Sequence, residues 1–161
     1  MELLRAHGIE AVADVRRFPG SRRHPHFSRE QLEPWLRAHD IGYRWMPELG
    51  GRRKPRPDSV NTGWRVDAFR GYADYMETPD AVSAIATLLD MAGAQRTAVM
   101  CAEALWWQCH RRLIADHLAA TGHSVTHIAA ASKALPHKLV PPAHLRDGKL
   151  SYVAEQPGLG L

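Results

Sequence analysis

Four short apolar runs, residues 10–15, 41–46, 97–101 and 124–128, are separated by stretches whose apolar side chains recur at helical spacing. Runs of this length, bounded by Gly and Pro, form buried strands, and strands alternating with helices give an α/β fold with a mostly parallel sheet. No other feature narrows the choice of fold as much. Ser28 with Gln31 forms a capping box for a helix from about Arg29, with Leu32, Trp35, Leu36 and His39 on one face and Pro34 inside it as a kink. Phe69, Tyr72, Ala73 and Met76 predict a helix over 64–76. Thr78 as N-cap and Pro79 at the first position open the next, with Val82, Ile85, Leu88 and Leu89 inward and Gly93 at its end. A last helix over 109–121 turns Leu113, Ile114, His117 and Leu118 to the core and stops at Gly122. Asp147-Gly148, between apolar residues on both sides, marks a C-terminal hairpin.

With 161 residues, 45% hydrophobic and 24% charged, the expectation is one globular domain over 1–161, neither disordered nor fibrous. The longest weakly polar stretch, 97–107, is too short to cross a bilayer and contains Glu103. The first residues have no cationic start followed by an apolar run, so no secretory signal is read and the cytoplasm is the expected compartment. There Cys101 and Cys109 are expected as free thiols. The formal net charge is +4, and 17 of the 21 basic side chains are Arg, the type suited to bidentate contact with phosphate or carboxylate. A genome rich in G and C would leave the same bias.

In a parallel α/β sheet the ligand crevice lies beyond the carboxyl ends of the strands, so residues following each run share one edge. After the first come Asp14, Arg16, Arg17, Ser21, Arg22 and Arg23; after the second Glu48, Gly50, Gly51, Arg52 and Arg53; after the third Cys101, Glu103, Cys109, His110 and Arg111. Asp14 and Glu103 are acid/base candidates, or else counter-charges for the arginines. Cys101 is either a nucleophile activated by Arg16 or Arg22 or a small buried strand residue. Cys109, read in the first helical turn, is a thiolate held by the helix dipole or an inert packing residue. Zinc is not expected: the residue types suit it, but the Cys-x7-Cys spacing is unfamiliar, and Cys109 and His110 as helical neighbours point apart. His110 is read instead as orienting its loop through a carbonyl. Gly50, Gly51, Arg52 and Arg53 make an anion cradle or lid, or a solvated loop, within the long loop 48–63. Trp106 and Trp107 offer surfaces for stacking on a base, or serve as core residues.

Five ordered motifs carry a resemblance that spans nearly the whole chain. Asp14-Val15-Arg16 with Pro19, Ser21-Arg22 and Phe27-Ser28; Glu48-Leu49-Gly50-Gly51-Arg52; Tyr72-Ala73-Asp74-Tyr75-Met76; Cys101-Ala102-Glu103; and Cys109-His110-Arg111 closely resemble the domain-of-unknown-function 488 family. The resemblance implies a three-layer Rossmann-like domain. The family's opening strand, of Thr-Ile-Gly-His-Ser type, has no counterpart here, and the chain reads as starting inside the following helix. The expected function is an enzyme-like domain that binds a phosphorylated ligand, a nucleotide or nucleic-acid end, at the carboxyl edge. Hydrolysis or group transfer would use Asp14, Glu103 and Cys101, with Arg16, Ser21, Arg22, Gly50, Gly51, Arg52, Cys109, His110 and Arg111 around the ligand and no resident cofactor. The alternative is a non-catalytic nucleotide- or nucleic-acid-binding module.

Overall fold

A computed structural model describes residues 1–20 and 23–154. Along the chain run α1 (Glu2–Ala6), β1 (Ala11–Asp14), α2 (Arg29–Arg37), β2 (Gly42–Trp45), α3 (Asp67–Met76), α4 (Pro79–Ala94), β3 (Thr97–Met100), α5 (Arg111–Ala120), β4 (Thr126–Ala130), β5 (Lys133–Pro136), β6 (His144–Arg146) and β7 (Lys149–Ser151). The fold is mixed α/β around a parallel three-stranded sheet of order β2-β1-β3. No helix among the described residues is long and apolar enough to cross a membrane.

β1 is buried at all four positions because its alternating side chains serve two cores. Val12 joins Leu32 and Leu36 of α2 with Ile41 and Tyr43. Ala13 and Val15 join Leu49, Tyr72, Ile85, Leu113 and Ile114, a core that also takes in Ala143 and Tyr152 from the end of the chain. A strand buried on both faces reads as a continuous apolar run, which is why residues 10–15 were legible.

The fourth apolar run departs from expectation. β4 does not extend the parallel sheet; it pairs antiparallel with β5, with Thr126 opposite Pro136 and a register shift between Ile128 and Ala130. Ala130 lies opposite Lys133, so the chain reverses at once, and closing so short a loop costs far less entropy than docking on a distant edge. β3 is left at the sheet margin, its outer edge unpaired among the described residues. β6 and β7 form a second antiparallel pair across Asp147 and Gly148, both at positive φ (49° and 74°), as a tight two-residue turn requires.

Several helix ends also shift. Thr78 caps α4 by accepting from Ala81 N–H, and Pro79 follows at the first position. Ser28 precedes α2, but its hydroxyl makes no capping bond, so no capping box forms. Pro34 is accommodated within α2. α3 begins at Asp67 because Trp64 turns into the core and Gly63 N–H donates to Tyr152 O. α5 begins at Arg111, preceded by a 3-10 turn at Trp106–Gln108 that leaves Cys109 extended (φ −129°, ψ 152°) and His110 as the N-cap.

The loop 48–63 is neither a lid nor a free surface loop. Asp74 on α3 accepts hydrogen bonds from Arg56 N–H, the Ser59 hydroxyl and the Asn61 amide. Arg53 donates to Gly50 O and Glu48 O, and its guanidinium lies 3.6 Å from the Tyr75 ring centre. The loop is thus a strap bound to α3.

Candidate functional site

The loops after β1, β2 and β3 meet at the carboxyl edge, as parallel topology requires. Val15 N–H donates to Met100 O, and the Trp45 indole donates to Arg16 O, tying the three strand ends together.

Asp14 is fully buried, and its carboxylate is already filled. It accepts from Arg16 Nε at 2.8 Å, Arg16 Nη2 at 2.5 Å, Arg16 N–H and the Tyr43 hydroxyl at 2.6 Å. The remaining Arg16 nitrogen, Nη1, donates to Phe27 O. Burial opposes the charge on Arg16, but the bonds to Asp14 outweigh it and raise the guanidinium pKa. Burial and the bond to Asp14 also push the Tyr43 phenol upward. Of the two readings of Asp14, the geometry matches the counter-charge: a locked ion pair has no free oxygen to exchange a proton with a ligand. Ser21 and Arg22 lie outside the described residues.

Glu103, read as an acid/base candidate or a counter-charge, is exposed, and its main-chain carbonyl, not its carboxylate, accepts from Arg111 Nη2. Arg111 Nε, in contrast, is buried without a partner. Arg52 is exposed and sits at φ 62°. Gly50 and Gly51 are packed rather than open. A Cβ on Gly50 would meet Arg17 Cβ at 2.8 Å, and one on Gly51 would meet His110 Nδ1 at 2.8 Å. These glycines let one loop press against the next, which is a different use from an anion cradle.

Cys101, Cys109 and His110 come together. Their ligand-capable atoms all lie within 4.8 Å of one another, with Cys109 Sγ 3.5 Å from His110 Nδ1. The expectation that Cys109 and His110 point apart fails because neither is inside the helix: extended backbone at Cys109 followed by the N-cap turns both side chains to one side. The His110 ring lies against Tyr72, centroids 5.0 Å apart, and its Nε2 is buried without a partner. The bond from Cys101 holds the Cys109 thiol well below its ordinary range, with help from His110 and Arg111 N–H and against burial; that same bond, with burial, pushes Cys101 up.

A cavity of about 1240 Å³ runs beside β3, walled by apolar residues such as Leu88, Val99, Ile114 and Val125. Its polar lining includes Cys101, Glu103, Trp106, Arg111 and His127. Behind His127 stands an arrangement that sequence reading missed. His127 Nε2 lies 2.9 Å from His137 Nδ1, and His137 Nε2 lies 2.9 Å from Oδ1 of the fully buried Asp116, whose other oxygen accepts from the Tyr152 hydroxyl. Trp106 stacks flat on His127, centroids 3.6 Å apart. Burial, with the nearby His137 and Arg111, pushes His127 down to about 4, so its imidazole is neutral at neutral pH. Burial raises Asp116 despite its bonds to His137 and Tyr152. The one available signal was Asp116 itself, an acid flanked by Leu113, Ile114 and Leu118 in an amphipathic helix, where a buried carboxylate demands a partner.

No curated protein and no solved structure matches the chain. The family model described as "Domain of unknown function DUF488" matches residues 1–118, which include the strand ends, the Gly50-Gly51 turn and the Cys101–Cys109–His110 cluster. With most of its length matched, including every element that builds this edge of the parallel sheet, the chain belongs to the DUF488 family.

Proposed function

We propose that this is a Rossmann-like α/β domain, with β6 and β7 as its closing hairpin, that binds a phosphate-bearing ligand at the carboxyl edge and acts on it by hydrolysis or group transfer. The two hydrophobic clusters to which β1 contributes support the layered reading. The ligand is a nucleotide or nucleic-acid end. The observation that carries this reading is the polar lining of the cavity, which brings together the Arg111 cation, the exposed Glu103 carboxylate, the Cys101 thiol and the stacked Trp106–His127 pair. A cation for phosphate, an aromatic face for a base and proton-transferring groups are what such a ligand needs. Asp14 has no part in the chemistry, being bound to Arg16. The locking of that carboxylate favours a second reading, a binding module without turnover.

Thermal unfolding of the protein with a panel of nucleotides and short oligonucleotides tests the reading, because a ligand of the native state raises the midpoint by mass action. One class of phosphate-bearing ligand is expected to raise it, with affinity falling as salt rises by about one unit of log–log slope per neutralised phosphate. Arg111→Ala is expected to abolish the shift. Product formation on prolonged incubation separates enzyme from module. If no nucleotide or oligonucleotide shifts the midpoint, and salt and Arg111→Ala change nothing, the phosphate-ligand reading is wrong.

A further inference from the structure

We infer that Cys101, Cys109 and His110 form a zinc site of the Cys2His type, with a fourth position left for water or a ligand. The three residues reach one another from two separate segments, Cys101 just past the end of β3 and Cys109-His110 at the start of α5. A tetrahedral zinc with Zn–S of about 2.3 Å and Zn–N of about 2.0 Å spaces sulfur and nitrogen about 3.5 Å apart. Cys109 Sγ and His110 Nδ1 are 3.5 Å apart, and Cys101 Sγ lies within 4.8 Å of both.

A second, independent feature concerns the space beside Nδ1. A Cβ on Gly51 would fall 2.8 Å from that nitrogen, so only glycine lets the Gly50-Gly51 turn pack against the ring without placing a side-chain carbon on Nδ1. On the ring's aromatic neighbour side, Tyr72 holds the imidazole in place, and its own hydroxyl is anchored on Leu49 O. Ring packing, and not a hydrogen bond from the unpartnered Nε2, is what fixes the orientation of this histidine. Two soft thiols and an imidazole select zinc over magnesium or calcium, which take oxygen ligands.

Three protein ligands leave one position free, the pattern of reactive rather than purely structural zinc. The cluster meets the cavity at Cys101, and Glu103, two residues on, lines the same cavity. A zinc held there would have room for one water and would make it more acidic than bulk water. The site adds to the proposed ligand cavity but does not rest on it, since the ligand atoms and Gly51 are observations separate from Arg111.

Metal analysis of the full chain, purified from zinc-supplemented culture in the presence of a phosphine reductant, tests the inference. The parent is expected to hold about one zinc per chain, and Cys101→Ser, Cys109→Ser and Gly51→Ala each to lose most of it. Because Cys109 is buried and its variant can fail to fold, a second measurement uses the unmodified chain. After chelator treatment and desalting, cobalt(II) is added, and thiolate-to-metal absorption with visible bands of tetrahedral intensity is expected, displaced by zinc. A reduced parent that retains no zinc and gives no such spectrum overturns the site and leaves a hydrogen-bonded thiol pair. Zinc that survives all three substitutions places the metal elsewhere and also overturns it. Zinc binding without any nucleotide effect upholds the site while removing the phosphate reading; the converse result removes the site alone.

Discussion

Single carboxylates in this protein behave according to what surrounds them. Asp14, Asp74 and Asp116 are all buried, yet one is an ion-pair partner, one a clasp and one the end of a histidine chain. For Asp74, burial alone would raise the pKa, but bonds from Ser59, Asn61 and Arg56 N–H outweigh it and hold the carboxyl below its ordinary value of 3.8. A folded-state pKa below the unfolded one means that the charged form stabilises the fold. That contribution is complete above the unfolded value and fades as pH falls through the folded one. Urea denaturation followed from neutral pH down to well below 3.8 is therefore expected to show a loss of stability in the parent that Asp74→Asn lacks, the variant being weaker at neutral pH by about 1–3 kcal/mol. Equal pH slopes in parent and variant would remove Asp74 as the clasp.

Among the elements, α3 and its strap show how a helix can serve as an anchor for irregular chain. Gly71, in the middle of α3, is where the strap crosses: a Cβ there would meet Arg53 O and Lys54 C at 2.5 Å, both backbone atoms that cannot swing aside. Gly71→Ala is expected to cost about 1–3 kcal/mol, as overpacking does, and to open the Arg52–Lys54 stretch to trypsin. Gly93 in α4 is the contrasting case, with nothing within 4 Å of its would-be Cβ. There the substitution to Ala is expected to stabilise by up to about 1 kcal/mol, because only the backbone entropy of glycine changes. Thermal unfolding and limited proteolysis of the two variants side by side give opposite signs if the close approach at Gly71 is real.

On the scale of the whole molecule, residues past the family match are integral to the core. Ala143 and Tyr152 are buried in the same cluster as Tyr72 and Leu113, and the Tyr152 hydroxyl donates to Asp116. Arg112 donates to Val140 O and Pro141 O and lies over the Trp64 ring, so the return segment is bound from α5 as well. A chain cut after residue 118 would expose Trp64, Ile114 and Leu118 and leave Asp116 without His137 and Tyr152. Such a chain is expected to lose cooperative thermal unfolding, read by circular dichroism, whereas the full chain shows it. A sharp transition in the shorter chain would show the return segment to be an addition rather than part of the core.

The amino-acid order was enough for the parallel strands, for the Thr78-Pro79 helix start and for the convergence of three loops on one edge, because each depends on local patterning and on a general rule of parallel sheets. It also located Cys101, Cys109, His110 and Arg111 at that edge. Pairing was beyond it. Asp14 choosing Arg16 and Tyr43, Asp74 clasping a loop, and residues 124–128 turning back on β5 all follow from competition among partners distant in sequence. The Asp116–His137–His127 chain joins α5 to β4, to His137 just past the end of β5, and to the turn before α5. The approach of Cys109 to His110 depended on a backbone angle at one residue, where a helical reading pointed the two side chains apart and extended backbone brought them 3.5 Å from each other. Such contacts are settled by packing, since the cost of burying a polar group is paid only once its partner is in place.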